Sequence, residues 1–366
     1  GEDEPGPEAE MPGDAGPVTG EENNSPEPRA EQIYGRIGVT SYTNISGQEG
    51  GNSQRMRYIF SMNAENIRSS RISAETYIAF SHRDEQWDLI RANVYEGLKF
   101  YNLAVNYEIT DRTSLSLGRK FNRRISSLGA IDGLQVEQGL RDFALGAIVG
   151  SRPDMDDYSY DPSLFQAGAY VSHEKKTDKI FLLSSLAVVE QQNTGKTDRR
   201  FLYLQHSNRL LKQLYLFGSG EFDLYELKDG KEGSTFSMTN AYLSLRYDPF
   251  KKLRLSASYS ARNNIIYYET YKNFLARLLE LETLQGVRLG LNYRPFRYIS
   301  LGVQAGQRSR PDDLKPSRNL YAWISHASVP GIDAMLTLTT TLLETSYIKG
   351  KVYGISIARD LLPARL

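Results

Sequence analysis

The sequence predicts an all-β protein, a transmembrane antiparallel up-and-down β-barrel of about 18 strands. Three observations carry this reading: apolar and polar residues alternate with period two, one hairpin pattern recurs, and long connections exchange regularly with short ones.

The alternation is clearest in residues 241–262. Ala241, Leu243, Leu245 and Tyr247 fall on one parity, and Tyr242, Ser244 and Arg246 on the other. After Asp248-Pro249-Phe250-Lys251-Lys252 the pattern resumes with Leu253, Leu255, Ala257, Tyr259 and Ala261 against Arg254, Ser256, Ser258, Ser260 and Arg262. Period two puts the two sets on opposite faces of a strand. The X-Pro step reads as a turn, because proline does not continue a strand. Each arm is about 9–10 residues long, which suits a tilted membrane-spanning strand. The pattern returns at 287–306, where Pro295-Phe296 makes the turn, and appears earlier at 103–118. Tyr107, Tyr247 and Tyr293 each precede the turn. The loops between hairpins vary in length, which argues for a meander over a fixed-period solenoid or propeller.

Taken in order, the candidate strands are 33–44, 56–67, 72–83, 98–109, 113–121, 131–138, 141–151, 163–174, 179–190, 198–209, 212–225, 236–247, 253–263, 285–294, 297–307, 317–328, 333–346 and 351–360. Alternation is weak at 56–67, 179–190 and 198–209. The odd-numbered connections are mostly long, among them 45–55, 84–97, 122–130, 152–162, 191–197, 226–235 and 264–284. The even ones are mostly short, and only Ile348-Lys349-Gly350 breaks the rule. A barrel with long loops outside and tight periplasmic turns has this rhythm, whereas a soluble Greek-key sandwich has no reason to keep it. An even strand number puts both ends on the periplasmic side.

Composition excludes a helical membrane protein. The longest greasy run, Ile180 to Val189, is ten residues with two serines inside it, well short of the ~20 a spanning helix needs. Tyrosine is abundant, 24 of 366 residues, as interfacial aromatic belts require. There are no cysteines, so disulfides and thiolate metal sites are excluded. Residues 1–31 carry ten acids and one base, so the rest has 34 acids and 43 bases, a net of +9. That acidic, Pro/Gly-rich stretch cannot bury enough apolar surface to fold. Residues 1–32 are therefore expected to be a disordered leader and 33–366 the barrel. The start at Gly1 is read as a mature or trimmed end.

Gly118-Arg119-Lys120 closes one candidate strand and Asp132-Gly133-Leu134 opens the next. Together with the pattern over 33–360, these residues resemble Gram-negative outer-membrane β-barrels of the porin type, and locally the sugar- and alginate-export porins. The resemblance implies an outer-membrane channel for small polar, anionic or saccharide solutes, surrounded by lipid and lipopolysaccharide. The alternative is a non-conducting barrel that scaffolds a larger envelope complex. The chain departs from the pattern at its end, Pro363-Ala364-Arg365-Leu366, where such barrels close on an aromatic residue. That departure leaves the strand count open.

If the greasy set faces lipid, Arg36, Arg57, Arg246, Arg254, Arg262, Arg288 and Arg294 face the lumen, with Glu65, Glu75, Glu108, Glu221 and Asp223. Walls of unlike sign would set a transverse field across a channel, or the charges would pair and rigidify the wall. In 264–284, Tyr271, Phe274, Leu275 and Leu278 have helical spacing, and Thr270 could cap the start. So apolar a helix would constrict the pore or dock a partner protein, unless it only rests on neighbouring loops. Asp154, Asp156, Asp157 and Asp161 could hold calcium, but the EF-hand spacing fails at Tyr158 and Phe165, and a solvated loop is expected. His206 and Ser207 are adjacent and so on opposite faces, which argues against a Ser–His hydrolase. His82, His173 and His326 show no serine partner by spacing. No enzyme activity, cofactor, metal or nucleic-acid patch is expected.

Overall fold

The computed structural model describes residues 30–44, 53–83, 86–177, 180–228, 230–263, 268, 284–310 and 313–359. Eighteen strands follow one another: β1 (Gln32–Asn44), β2 (Ser53–Glu65), β3 (Ile72–Arg83), β4 (Leu98–Thr110), β5 (Thr113–Phe121), β6 (Ala130–Leu140), β7 (Phe143–Ser151), β8 (Phe165–Lys176) and β9 (Phe181–Asn193). The second half comprises β10 (Lys196–Leu211), β11 (Leu214–Lys228), β12 (Lys231–Phe250), β13 (Leu253–Arg262), β14 (Leu284–Tyr293), β15 (Ile299–Ser309), β16 (Ser317–Val329), β17 (Ala334–Glu344) and β18 (Lys349–Ala358). Every strand pairs antiparallel with the next, so the sheet is an up-and-down meander. The α-helix α1 (Trp87–Ala92) lies between β3 and β4.

Several connections differ from the expectation. The stretches 191–197 and 226–235 are not long loops. Thr194 (φ 51°) and Gly195 (φ 78°) take left-handed conformations and close a two-residue hairpin between β9 and β10. Gly230 (φ 75°) does the same between β11 and β12. The strands therefore run on, and β12 reaches 20 residues. Pro249 does not end its strand either. The register slips between Tyr247 and Phe250, so the proline occupies a bulge where no ladder donor is required. Among the described residues no pairing joins β1 to β18, and both end strands are exposed along nearly their whole length, so the expected closure of the ring is not made there. Closure needs the two edges to meet, and each instead presents an unpaired ladder of N–H and C=O groups.

Residues 1–29 lie outside the described residues. At the other side of that boundary, Glu31 is tied down: its carboxylate accepts the Arg68 amide at 3.1 Å, and β1 begins at Gln32.

Register fixes which residues share a face. Leu243 stands opposite Tyr259, which stands opposite Val287. Leu255, Leu291 and Val303 line up the same way. These side chains are exposed, as a lipid-facing surface is. Leu289→Arg, near mid-strand on that face, is expected to cost about 2–4 kcal/mol. Cysteine labelling with a water-soluble thiol reagent checks the assignment: a cysteine at Arg288 should react and one at Leu289 should stay protected.

A row of small residues lets neighbouring strands approach closely. Ala104, Gly118, Gly133 and Gly150 stand side by side on β4 to β7. A Cβ on Gly133 would lie 2.1 Å from the Val149 carbonyl oxygen, and one on Gly150 2.3 Å from that of Asp132. Only glycine lets these strands approach so closely.

Candidate functional site

The loop 122–129, between β5 and β6, folds back onto one face of the sheet. Ile125 (1% exposed) and Leu128 bury their side chains against Ile131, Ile148, Tyr170, Ala187, Val189, Phe201 and Tyr203. Burial of two such aliphatic side chains stabilises the docked loop by about 1.5–3 kcal/mol each. Polar contacts set the register of the loop on the wall. Ser126 Oγ lies 2.7 Å from Tyr203 Oη and donates to Gln205 Oε1 at 2.9 Å. Asn122 Nδ2 donates to Gln135 Oε1 at 3.2 Å. Arg124 bridges two strands, to Glu137 at 3.3 Å and Glu174 at 2.5 Å. Tyr170 donates to Glu137 Oε2 at 2.7 Å. Its ring lies over Gly146, where a Cβ would fall 2.1 Å from the ring carbon Cζ.

We take the face that this loop covers as the inner one, and the register carries it around the sheet. Tyr215, Arg246 and Ser256 share it with Tyr203 through β10 to β13. Ser258 and Arg288 extend it to β14. In the other direction Glu137, Ser114 and Glu108 share it, then Glu75 with Asn63 and Tyr34. Arg36 and Arg57 fall on the same parity as Tyr34 and Asn63. Arg294 does not sit on a strand; it lies in the turn after β14, where its amide donates to Lys252 O at 2.8 Å.

The inner acids are held by near neighbours. Glu75 takes Lys120 at 2.6 Å, with Asn102 and Asn106 at 2.9 and 3.1 Å. Glu221 and Asp223 both take Arg199, each at 2.8 Å, and the guanidinium sits 4.1 Å from the Phe201 ring centroid. Glu65 receives Tyr34 and Asn63. Glu65, Glu75, Glu108, Glu137, Lys120 and Arg124 line one polar cleft of about 550 Å³ beside the docked loop. The arginines of β12 to β14 are not consumed by these acids. Arg246 and Arg254 share the single carboxylate of Asp248, at 3.7 and 2.9 Å. Arg36, Arg57, Arg262 and Arg288 have no ion-pair partner among the described residues.

Other groups singled out in the sequence turn out to be structural. Arg119 and Asp132 stand directly opposite each other and form a bidentate pair, both contacts at 2.5 Å. Arg119 also donates to the carbonyls of Phe100 and Tyr158, at 2.9 and 2.7 Å. In the loop 152–164 the aspartates spend their oxygens on the loop itself. Asp154 accepts the amides of Asp156 and Asp157, and Asp161 accepts the amide and the hydroxyl of Ser163. Hydrogen bonds from Ser159 and Asn93 depress the Asp157 carboxyl to about 2, and so tie this loop to the α1 segment. His206 does have a serine neighbour, Ser184 across the strand pair at 2.8 Å, with Asn208 on its other nitrogen at 2.7 Å. Ser207 points away and donates to Tyr215 Oη.

Tyr271, Phe274, Leu275 and Leu278 lie outside the described residues. The loop that reaches the inner wall, 122–129, was not singled out in the sequence. Its signature is in the strands it covers. The weak alternation at 179–190 and 198–209 arises because Ala187, Val189, Phe201 and Tyr203 are apolar on the inner face too.

No family model matches the sequence, and neither does any curated protein. Solved structures do. Pseudomonas aeruginosa OccK2 (OpdF), in complex with glucuronate, is 10% identical, with 90% of this chain and 95% of that chain covered and a TM-score of 0.50. Pseudomonas putida OprB is 8% identical over 87% and 94% of the two chains, TM-score 0.45. Salmonella typhi OmpF is 11% identical over 76% and 90%, TM-score 0.42. The chain has the fold of the Gram-negative outer-membrane porins, with 18 antiparallel strands in one up-and-down sheet.

Proposed function

We propose that this protein is an outer-membrane channel for small polar solutes that favours anions, acidic saccharides among them. The observation that carries the reading is the charge imbalance of the inner face. The acids of β3, β6, β8 and β11 are engaged by Lys120, Arg124 and Arg199. Among the described residues Arg36, Arg57, Arg262 and Arg288 have no ion-pair partner, and in this reading they act on whatever enters. Uncompensated guanidinium groups attract carboxylates and grip them bidentately. The docked loop narrows the path on the opposite wall. In this reading the long loops face outward and the termini lie in the periplasm.

Planar-bilayer recording tests it. In a salt gradient the reversal potential should report anion preference, and Arg262→Glu with Arg288→Glu should move it toward cations. Glucuronate, the ligand of the OccK2 complex, is a suitable solute for uptake into proteoliposomes. Clear cation preference in the unmodified protein sinks the anion reading. A barrel that does not conduct at all favours the scaffold alternative.

A further inference from the structure

On the inner face of β13 to β17 one register row runs Arg254, Asn292, Gly302, Trp323 and Thr339. The next row, two residues further from the short turns, runs Ser256, Gly290, Gln304 and Tyr321. Gly290 and Gly302 leave the middle of this patch without side chains. Arg254 bounds the hollow on one side, and Trp323 and Tyr321 bound it on the other. A Cβ on Gly302 would lie 2.5 Å from Trp323 Nε1, 2.7 Å from its Cε2 and 2.8 Å from Asn292 Oδ1. The indole therefore reaches back across β15 and meets the Asn292 amide there, instead of standing free in the lumen. Trp323 is half-buried and Arg254 is exposed. Arg246, opposite Ser256, leans on the Tyr215 ring of β11, 5.4 Å from its centroid, on the far side of the hollow. Arg246 and Arg254 share Asp248 at 3.7 and 2.9 Å, so this trio keeps one net positive charge.

From this hollow we infer a binding site for one uronic-acid ring: the pyranose stacks on Trp323, and its carboxylate meets Arg254. Glycine inside a strand marks a place where a ligand can approach the backbone closely. The C–H face of a pyranose is apolar and suits the negative face of an aromatic ring. The ring hydroxyls find amides and hydroxyls at Asn292, Gln304 and Thr339. A guanidinium takes a carboxylate bidentately. The spacing sets the size of the ligand. Three strand steps separate the Arg254 and Trp323 backbones by roughly 14 Å. An extended arginine covers about half of that, and one sugar ring fills the remainder. The site is open to the lumen, so a solute that binds here can also leave, as conduction requires. The inference rests on the channel reading given above and names the solute that one wall of the channel selects.

Tryptophan fluorescence of the folded full chain tests it. The chain has two tryptophans, and Trp87→Phe, in α1, leaves Trp323 as the reporter. Glucuronate should change its emission saturably. Glucose, which lacks the carboxylate, and gluconate, which lacks the ring, should each bind at least ten-fold more weakly. Arg254→Gln should weaken glucuronate ten-fold or more and leave glucose unchanged. In planar bilayers Trp323→Leu should raise the glucuronate concentration that half-blocks the current ten-fold or more, and Trp323→Tyr three-fold at most. If Trp323→Leu does not fold, the Arg254→Gln titration decides. No saturable change with glucuronate, equal binding of glucose or gluconate, or unchanged glucuronate affinity in Arg254→Gln overturns the proposal. The two readings fail separately. Binding by fluorescence without any current sinks the channel and spares the site, whereas an anion-selective current with no response of Trp323 to glucuronate sinks the site and spares the channel.

Discussion

Replacing Ile125 and Leu128 together by aspartate is expected to release the loop 122–129 from the inner wall and raise single-channel conductance. Each side chain is buried in a cluster whose wall members Val189 and Tyr203 are 0% exposed. The substitution removes roughly 1.5–3 kcal/mol of burial per side chain and would place carboxylates where no base waits for them. The remaining tethers are Arg124 with Glu137 and Glu174, Asn122 with Gln135, and Ser126 with Tyr203 and Gln205. Ion pairs with one end in water contribute little, about 0–1 kcal/mol, so they cannot hold the loop alone. The barrel wall should persist, because the β5–β6 ladder does not run through the loop. Ser126→Ala is the control. It removes hydrogen bonds worth about 1 kcal/mol and should leave conductance near the unmodified value. An unchanged conductance in the double aspartate variant, with the barrel folded, would mean that the loop does not bound the path.

Gly133→Val should prevent the barrel from folding. The added Cβ would meet the Val149 carbonyl oxygen at 2.1 Å and the Gly150 Cα at 2.6 Å, both backbone atoms that cannot turn aside. Relief requires β6 and β7 to separate, which breaks the ladder between them. Loss of the heat-modifiable folded form on a gel is the expected readout. Gly38→Ala, where the nearest atom lies 4.0 Å from the new Cβ, should fold normally. Normal folding of Gly133→Val would show that the strands at this point are less closely apposed than described.

The motif that suggested a porin resemblance thereby acquires a physical role. Gly118 and Gly133 face each other, as do Arg119 and Asp132. The glycines let the strands close up, and the ion pair locks the approach under the Tyr158 carbonyl. Read along the chain these are two short fragments 11 residues apart; their meaning lies across the ladder.

The 18 strands, and which side chains share a face, were legible in the residues alone. Period two is a local property: Leu289 and Arg288 are assigned by their neighbours in sequence, and the register agrees. The turns at Thr194-Gly195 and Gly230 were less legible, because polar residues beyond the membrane width read as loop whether or not they pair. Three features were decided by the tertiary structure alone. One is which inner acids meet which bases. Glu221 and Asp223 take Arg199 on the adjacent strand rather than the arginines of β12 to β14, a choice set by cross-strand distance. Another is the Ser184–His206 contact, made between residues 22 apart in the chain. The last is the docked loop. Ile125 and Leu128 look like ordinary loop residues until the apolar face of β6 to β10 is placed beneath them, because the burial that holds them is supplied by strands as remote in the chain as β10, through Phe201 and Tyr203.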